Sequence, residues 1–196
     1  MDIQLHGTEQ QVTALGPGRR FAVWTQGCHR RCPGCISPNT WDLKGGYSTD
    51  TEILAQQALK SNAHGITISG GEPFLQADAL VDFIQRVRME RDVGIIIYTG
   101  YTLEELQKLQ TPGVDELLNH CDLLIDGAYI EEKNDGKNLR GSSNQRAIPL
   151  TDRYINEAAE YGTKEASVEF FFHETMVRMV GIPSKELLER VKQILG

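Results

Sequence analysis

Along the chain, apolar residues recur in short blocks separated by polar, glycine-punctuated breaks, and the period inside the blocks switches between two and about three and a half. Residues 3–12 alternate loosely, Gly16-Pro17-Gly18 marks a turn, and residues 20–26 (RFAVWTQ) resume as a strand. A polar stretch at 37–50, broken by Gly45-Gly46, comes next. Thr49 and Glu52 have capping-box spacing and predict a helix carrying Ile53, Leu54, Ala58 and Leu59. From here the alternation is regular. Residues 66–68 predict a short strand running into Ser69-Gly70-Gly71-Glu72-Pro73, and 77–91 predict a helix with Leu80, Val81, Ile84 and Val87 on one stripe. Residues 93–98 (VGIIIY) predict a buried strand ending at Thr99-Gly100. Thr102 and Glu105 form a second capping box ahead of Leu106 and Leu109, and 122–125 predict a strand ending in Asp126-Gly127. Beyond it the pattern weakens. Residues 130–138 read as a charged loop, 139–146 (LRGSSNQR) as a polar patch, and 156–164 as a short helix or loop. Residues 167–172 (SVEFFF) read as a strand. The closing helix, 184–195, takes Ser184 as N-cap and Leu187, Leu188, Val191, Ile194 and Leu195 as its apolar stripe.

Short apolar strands alternating with amphipathic helices indicate an α/β fold around a parallel sheet, open or barrel-like. Ligands of such sheets gather at the carboxyl ends of the strands. Four predicted strands end in polar or glycine-containing segments: the loop after residue 26, Gly70-Gly71-Glu72, Thr99-Gly100 and Asp126-Gly127. These ends should meet on one rim. A chain of 196 residues is one domain with room for a small appended piece, here taken as a core at 1–150 and an extension at 151–196. It can bury roughly 70% of its extended surface, so it needs no disulfides to hold a core.

The loop after residue 26 carries the chemistry. Cys28, Cys32 and Cys35, three of the chain's four cysteines, fall within eight residues as C-x₃-C-x₂-C. Thiolates this close call for a shared metal to offset their repulsion. A structural zinc site closes with four protein ligands and a catalytic one prefers a mixed set. An iron–sulfur cube also asks for four, usually all cysteine. With three supplied, one iron stays open to an outside ligand. The competing reading is zinc completed by His29 or Cys121, or a simple electron-transfer module. His29 adjoins a ligand and is poorly placed to bend back to the same ion, and Cys121, at the start of an apolar strand, is by default simply buried. Gly27 and Gly34 let backbone amides approach sulfur.

Composition narrows the setting. Three crowded cysteines argue against a disulfide framework and for a reducing cytoplasm. The opening MDIQLHGTEQ lacks the charged and apolar regions of a signal peptide, and no apolar run nears the roughly 20 residues of a membrane span. A net charge of −7 without a long basic tract makes nucleic acid a poor partner and leaves a small molecule or another protein.

Taken together, the motifs resemble the radical S-adenosylmethionine superfamily, and within it the activating enzymes of the anaerobic ribonucleotide reductase. The resemblance rests on Gly16-Pro17-Gly18, the Gly27 and Cys28 loop closing in Cys32-Pro33-Gly34-Cys35, Thr40-Trp41, Ser69-Gly70-Gly71-Glu72-Pro73, Thr99-Gly100-Tyr101, Asp126-Gly127 and Arg140-Gly141-Ser142-Ser143-Asn144-Gln145, in order over about residues 10–146. It implies a partial (β/α) barrel with an N-terminal strand pair and a C-terminal strand–helix extension. It implies a [4Fe-4S] cluster on the three cysteines, and S-adenosylmethionine chelating the open iron and cleaved to methionine and a 5′-deoxyadenosyl radical. The product is a glycyl radical on a partner enzyme, with a flavodoxin-type protein as electron donor. For the cofactor, the family's pattern points to Gly34 and Ile36 near the adenine and to Ser69, Gly70, Gly71 and Glu72 near the methionine end. Thr99, Gly100 and Asp126 complete the rim, and no catalytic side chain is expected beyond the cluster ligands. Glu72 has two readings, a ligand of the amino group or a brace of its own turn. Asp126 is either a rim residue beside the cofactor or the partner's target residue, or a strand-ending carboxylate bonding its own turn. The stretch after Arg146 extends past the compact activases, which leaves open an enzyme acting on a small molecule or peptide in a pocket built by the tail.

Overall fold

A computed structural model describes residues 1–109 and 111–195. Its centre is a seven-stranded sheet in the order β3-β1-β2-β4-β5-β6-β7. The four middle strands, β2 (Arg20–Thr25), β4 (Gly65–Gly70), β5 (Gly94–Tyr98) and β6 (Leu123–Asp126), are parallel. β1 (Asp2–Val12) runs antiparallel to β2, β3 (Tyr47–Asp50) antiparallel to β1, and β7 (Arg146–Pro149) antiparallel to β6.

The period-two alternation of the strands divides the core in two. Phe21, Val23, Ile66, Ile68, Ile95, Ile97 and Leu124 face the helices α1 (Thr51–Lys60), α2 (Ala77–Glu90) and α4 (Val114–His120), whose Leu54, Leu80, Ile84 and Leu117 complete the main cluster. Ala22, Ile96, Leu123 and Ile125 face the other way. That second face is covered by the C-terminal part of the chain. Tyr154 packs on Ile96, Leu123 and Ile125 ahead of α5 (Ile155–Ala159), and Val180 packs on Val12, Leu15 and Ala22. Val180 belongs to a hairpin of β8 (Val168–Phe172) and β9 (Val177–Gly181), which leads into α6 (Lys185–Leu195).

On the second face Arg20 is fully buried without a carboxylate. All five of its N–H groups are used: Nε donates to Thr67 Oγ1 (2.6 Å), Nη1 to Pro17 O (3.3 Å) and Tyr154 Oη (2.7 Å), and Nη2 to Ile66 O (2.6 Å) and Gly94 O (2.9 Å). The guanidinium ties three strands of the sheet to the C-terminal segment.

Several local expectations need correction. The polar stretch 37–50 contains strand β3, which is polar because it is an exposed edge strand held by pairing to β1. The first helix is capped by Asp50, whose carboxylate accepts from Glu52 N at 2.7 Å, while Thr49 lies in β3. Ile53 is half exposed, and Ala55 takes the buried position with Leu54 and Ala58. The second capping box is present but opens a single turn, α3 (Leu103–Leu106), after which α4 forms separately. The patch at 139–146 ends in β7, and the final strand is half of a hairpin. Ser184 does cap α6, its Oγ accepting from Leu187 N at 3.3 Å. Ile194 and Leu195 of the expected stripe lie outside the residues whose side chains are described. No described helix is long and apolar enough to cross a membrane.

Candidate functional site

The four parallel strands deliver their carboxyl ends to one rim, and a cavity of about 270 Å³ opens there. Cys28, Cys32 and Cys35 line it from the loop after β2. The base of that loop is fixed by main-chain bonds to two segments. Gly27 N and Cys28 N donate to Thr40 O (2.8 Å) and Trp41 O (3.2 Å), while Glu72 N donates to Gly27 O (2.8 Å) and Gly71 N to Thr25 O (2.8 Å). Gln26 adds side-chain bonds to Asn39 O and Asp42 O. The Gly-Gly-Glu turn thus packs directly on the root of the cysteine loop. A Cβ on Gly71 would stand 2.2 Å from Gly27 O, so only glycine allows the approach.

The rim is braced by Glu72. Its carboxylate, 2% exposed, accepts from Thr99 Oγ1 (2.8 Å), Gly100 N (2.9 Å) and Phe74 N (3.2 Å). Burial pushes its pKa up, against these three donors. The carboxylate therefore joins the end of β4 to the end of β5, which is the geometry of a turn brace. Asp126, fully buried, accepts from Leu103 N (2.8 Å) and from Arg146, whose Nε lies at 2.9 Å. It fixes the start of α3 and does not line the cavity.

The other expected residues sort by place. Ile36, Ser69, Gly70, Gly71, Glu72, Thr99 and Gly100 line the cavity with the cysteines; Gly34 does not. Gly34 is in the left-handed region at φ 69°, against Glu131, where a Cβ would meet the carboxylate at 2.5–2.8 Å. In residues 140–145 the polar side chains are turned on their own neighbourhood. Gln145 accepts from Gly141 N and Ser142 N and donates to Gly127 O, Asn144 donates to Ala128 O, and buried Ser142 accepts from Ile130 N. Of these, Gly141 and Gln145 reach the cavity.

Three contributors had no signal in the sequence. Arg30 leaves the cysteine loop, lies over the Tyr101 ring (4.3 Å to its centre) and pairs with Glu105 (2.9 Å), clamping the loop to the end of β5. Tyr98 lines the cavity with a buried hydroxyl that has no hydrogen-bond partner among the described residues. Met179, Val180, Gly181, Ile182 and Pro183 form a wall opposite, with Leu188 of α6.

The residues present fit a cluster better than a closed single-ion site. Neither candidate fourth ligand reaches the cavity: His29 is exposed at the loop surface, and Cys121 is fully buried before the first residue of β6, at the other end of that strand. Burial also pushes the Cys121 thiol far above its ordinary range. Among the described residues no three His, Cys, Asp or Glu side chains converge on one ion. The three cysteines line one cavity, and cysteine thiolates are the ligands that hold an iron–sulfur cluster. Burial pushes the Cys35 thiol up, partly offset by Ser37 N, which donates to its sulfur at 3.4 Å. Trp24 and Trp41 line the same cavity.

Residues 14–148 match the family model described as a 4Fe-4S single cluster domain. The anaerobic ribonucleoside-triphosphate reductase-activating protein of Vibrio cholerae is 37% identical over 139 residues, covering 66% of this chain and 87% of that protein. The protein of the same name from Enterobacteria phage T4 is 32% identical over 145 residues, covering 70% and 88%. Pyruvate formate-lyase 1-activating enzyme of Escherichia coli is 31% identical over 162 residues, covering 79% and 63%. Among solved structures, QueE from Escherichia coli superposes with a TM-score of 0.46 at 16% identity, over 64% of this chain and 70% of that one, too loose a likeness to bear on the fold. With three cysteines on the rim of a parallel sheet and this span of similarity, the chain belongs to the radical S-adenosylmethionine activating enzymes of the 4Fe-4S single-cluster type.

Proposed function

We propose that this enzyme uses a [4Fe-4S] cluster on Cys28, Cys32 and Cys35 to activate a partner, an anaerobic ribonucleotide reductase, by generating a glycyl radical on it. One observation carries the reading: three thiols and the Gly70-Gly71 turn share a single cavity that neither His29 nor Cys121 enters. When bound, the cluster and S-adenosylmethionine supply the one-electron cleavage and the hydrogen-abstracting radical.

The chain's own residues bind, orient and exclude water. Ser69, Gly70 and Gly71 offer main-chain groups to the methionine end of the nucleotide, and Ile36, beside Gly34, offers an apolar surface to the adenine. Thr99 and Gly100 complete the rim where Glu72 holds them. Asp126 acts through Arg146 and the start of α3. The seven-stranded sheet is read as a partial (β/α) barrel, because α1, α2 and α4 cover one face and leave the other to ligands and to the extension at 151–196. A cytoplasmic location and a flavodoxin-type donor complete the reading. Exposed His29 and Arg31 on the cysteine loop leave a donor a short path to the cluster.

A second reading, a small-molecule or peptide substrate, is favoured by the wall that the C-terminal segment adds to the cavity. The test is anaerobic reconstitution, reduction and mixing with the reductase. A glycine-centred doublet in electron paramagnetic resonance is the expected outcome; cleavage of S-adenosylmethionine without that doublet assigns the enzyme to the second reading.

A further inference from the structure

The C-terminal hairpin has two faces of different character. Opposed residues of an antiparallel pair share a face, and the register sets Phe170 opposite Met179 and Phe172 opposite Val177. One face therefore carries Phe170, Phe172, Val177 and Met179, with no charged side chain. The other carries Glu169, Phe171, Arg178 and Val180 and is turned to the body of the protein. There Glu169 accepts from Thr13 N (2.7 Å), Ala14 N (2.7 Å) and Thr13 Oγ1 (2.9 Å), and Arg178 lies over Trp24. His173 and Arg178 both meet Glu9 at 2.8 and 3.3 Å. The hairpin is held firmly by one side only.

Its free side is apolar and leads to the cysteines. Phe172 is 80% exposed, Val177 59% and Phe170 46%, while Met179, on the same face, lines the cavity. A ladder of apolar side chains thus starts in the cavity wall and runs outward onto the surface. Exposed apolar strips of this kind mark contact surfaces. The hairpin also lies beyond residue 148, where the match to the shared cluster domain ends.

We propose that the Phe170–Phe172 face of this hairpin seats the partner protein's glycine-bearing segment as it enters the cavity. The inference rests on the activase reading above. The atom attacked belongs to another protein's main chain, so an extended stretch of that protein has to pass the cavity mouth, and the ladder forms one side of the mouth. What it recognises is apolar side chains flanking the target glycine. Because the face is uncharged, the contact holds at high salt, unlike one built on ion pairs.

The test uses the full-length, cluster-loaded protein and a Phe170→Ser/Phe172→Ser double variant, both positions being exposed. Iron content and partner-free release of 5′-deoxyadenosine with dithionite should match wild type within about twofold, which reports an intact cluster site. Against the anaerobic ribonucleoside-triphosphate reductase of the same organism, the dissociation constant should rise about tenfold or more, with a matching fall in glycyl radical at subsaturating partner. Unchanged affinity and radical yield would overturn the proposal. So would a wild-type dimer that the variant converts to monomer with partner affinity intact, which assigns the face to a second copy of this chain. If wild type cleaves S-adenosylmethionine but yields no glycyl radical on the reductase, the activase reading itself fails and takes this inference with it.

Discussion

The Glu72 carboxylate accepts a hydrogen bond from the Thr99 hydroxyl at 2.8 Å across 27 residues of sequence, joining the carboxyl ends of two neighbouring parallel strands beneath the cysteine loop. Glu72→Gln keeps the shape but in either orientation sets an N–H₂ against a main-chain amide, Phe74 N or Gly100 N, which can only donate. The variant should lose about 1–3 kcal/mol of stability in urea unfolding. The pH trend follows from burial having raised the Glu72 pKa. A raised carboxyl contributes stability that is complete below its unfolded value and is lost as pH rises through the folded value. The gap between wild type and variant should therefore narrow as pH climbs from the ordinary carboxylate range upward.

Gly71 tests the contact between the turn and the cysteine loop. Its conformation is open to any residue, so the obstacle to Ala is purely the Gly27 carbonyl at 2.2 Å from the added Cβ. Gly71→Ala should push the cysteine loop off its base, lowering Tm by roughly 5 °C and cutting iron retained after reconstitution. Full iron loading at unchanged Tm would show that the two segments are not locked together.

The four cysteines should divide three to one. Replacing Cys28, Cys32 or Cys35 by Ala should abolish iron binding and the brown absorbance. Cys121→Ala should keep both and cost only about 1 kcal/mol of packing, since its thiol sits in the main core behind the sheet. Loss of iron from Cys121→Ala would return it to the ligand set.

Arg20→Met removes five donors at once and takes a hydrogen bond from each of the buried carbonyls of Ile66 and Gly94. Roughly 3 kcal/mol or more should be lost in urea unfolding, and protection of the Tyr154 region from hydrogen exchange should fall with it.

Glu104 meets Arg146 through both carboxylate oxygens, at 3.0 and 2.7 Å, and these bonds pull its pKa down to about 2. A depressed carboxyl contributes stability present above its unfolded value, near 4.5, and lost as pH falls through the folded one. Glu104→Gln should be less stable than wild type at pH 6, and the difference should close between pH 4.5 and about 2. A difference independent of pH would mean that the pair contributes through shape alone.

The reach of the sequence is visible in what was misplaced. β3, β7 and β9 carry weak local patterns because each owes its conformation to a neighbour: β3 to β1, β7 to β6, β9 to β8. Ile53 has helical spacing but faces solvent, because the neighbouring Leu54, Ala55 and Ala58 take the buried side of α1. The polar run at 140–145 looks like a set of free donors and acceptors. In the folded protein Gln145 and Asn144 are occupied by the main chain of residues 127, 128, 141 and 142.

The cysteine spacing, the glycine turn after β4 and the alternation of strand and helix were decided within the sequence, because ligand spacing and burial period act over a few residues. The contacts of Glu72 and Asp126, the clamp made by Arg30 and the wall supplied by residues 179–183 were decided only in three dimensions. Each depends on groups brought together from distant parts of the chain, and no local pattern records which buried donor a carboxylate will meet or which face of a hairpin will close a cavity.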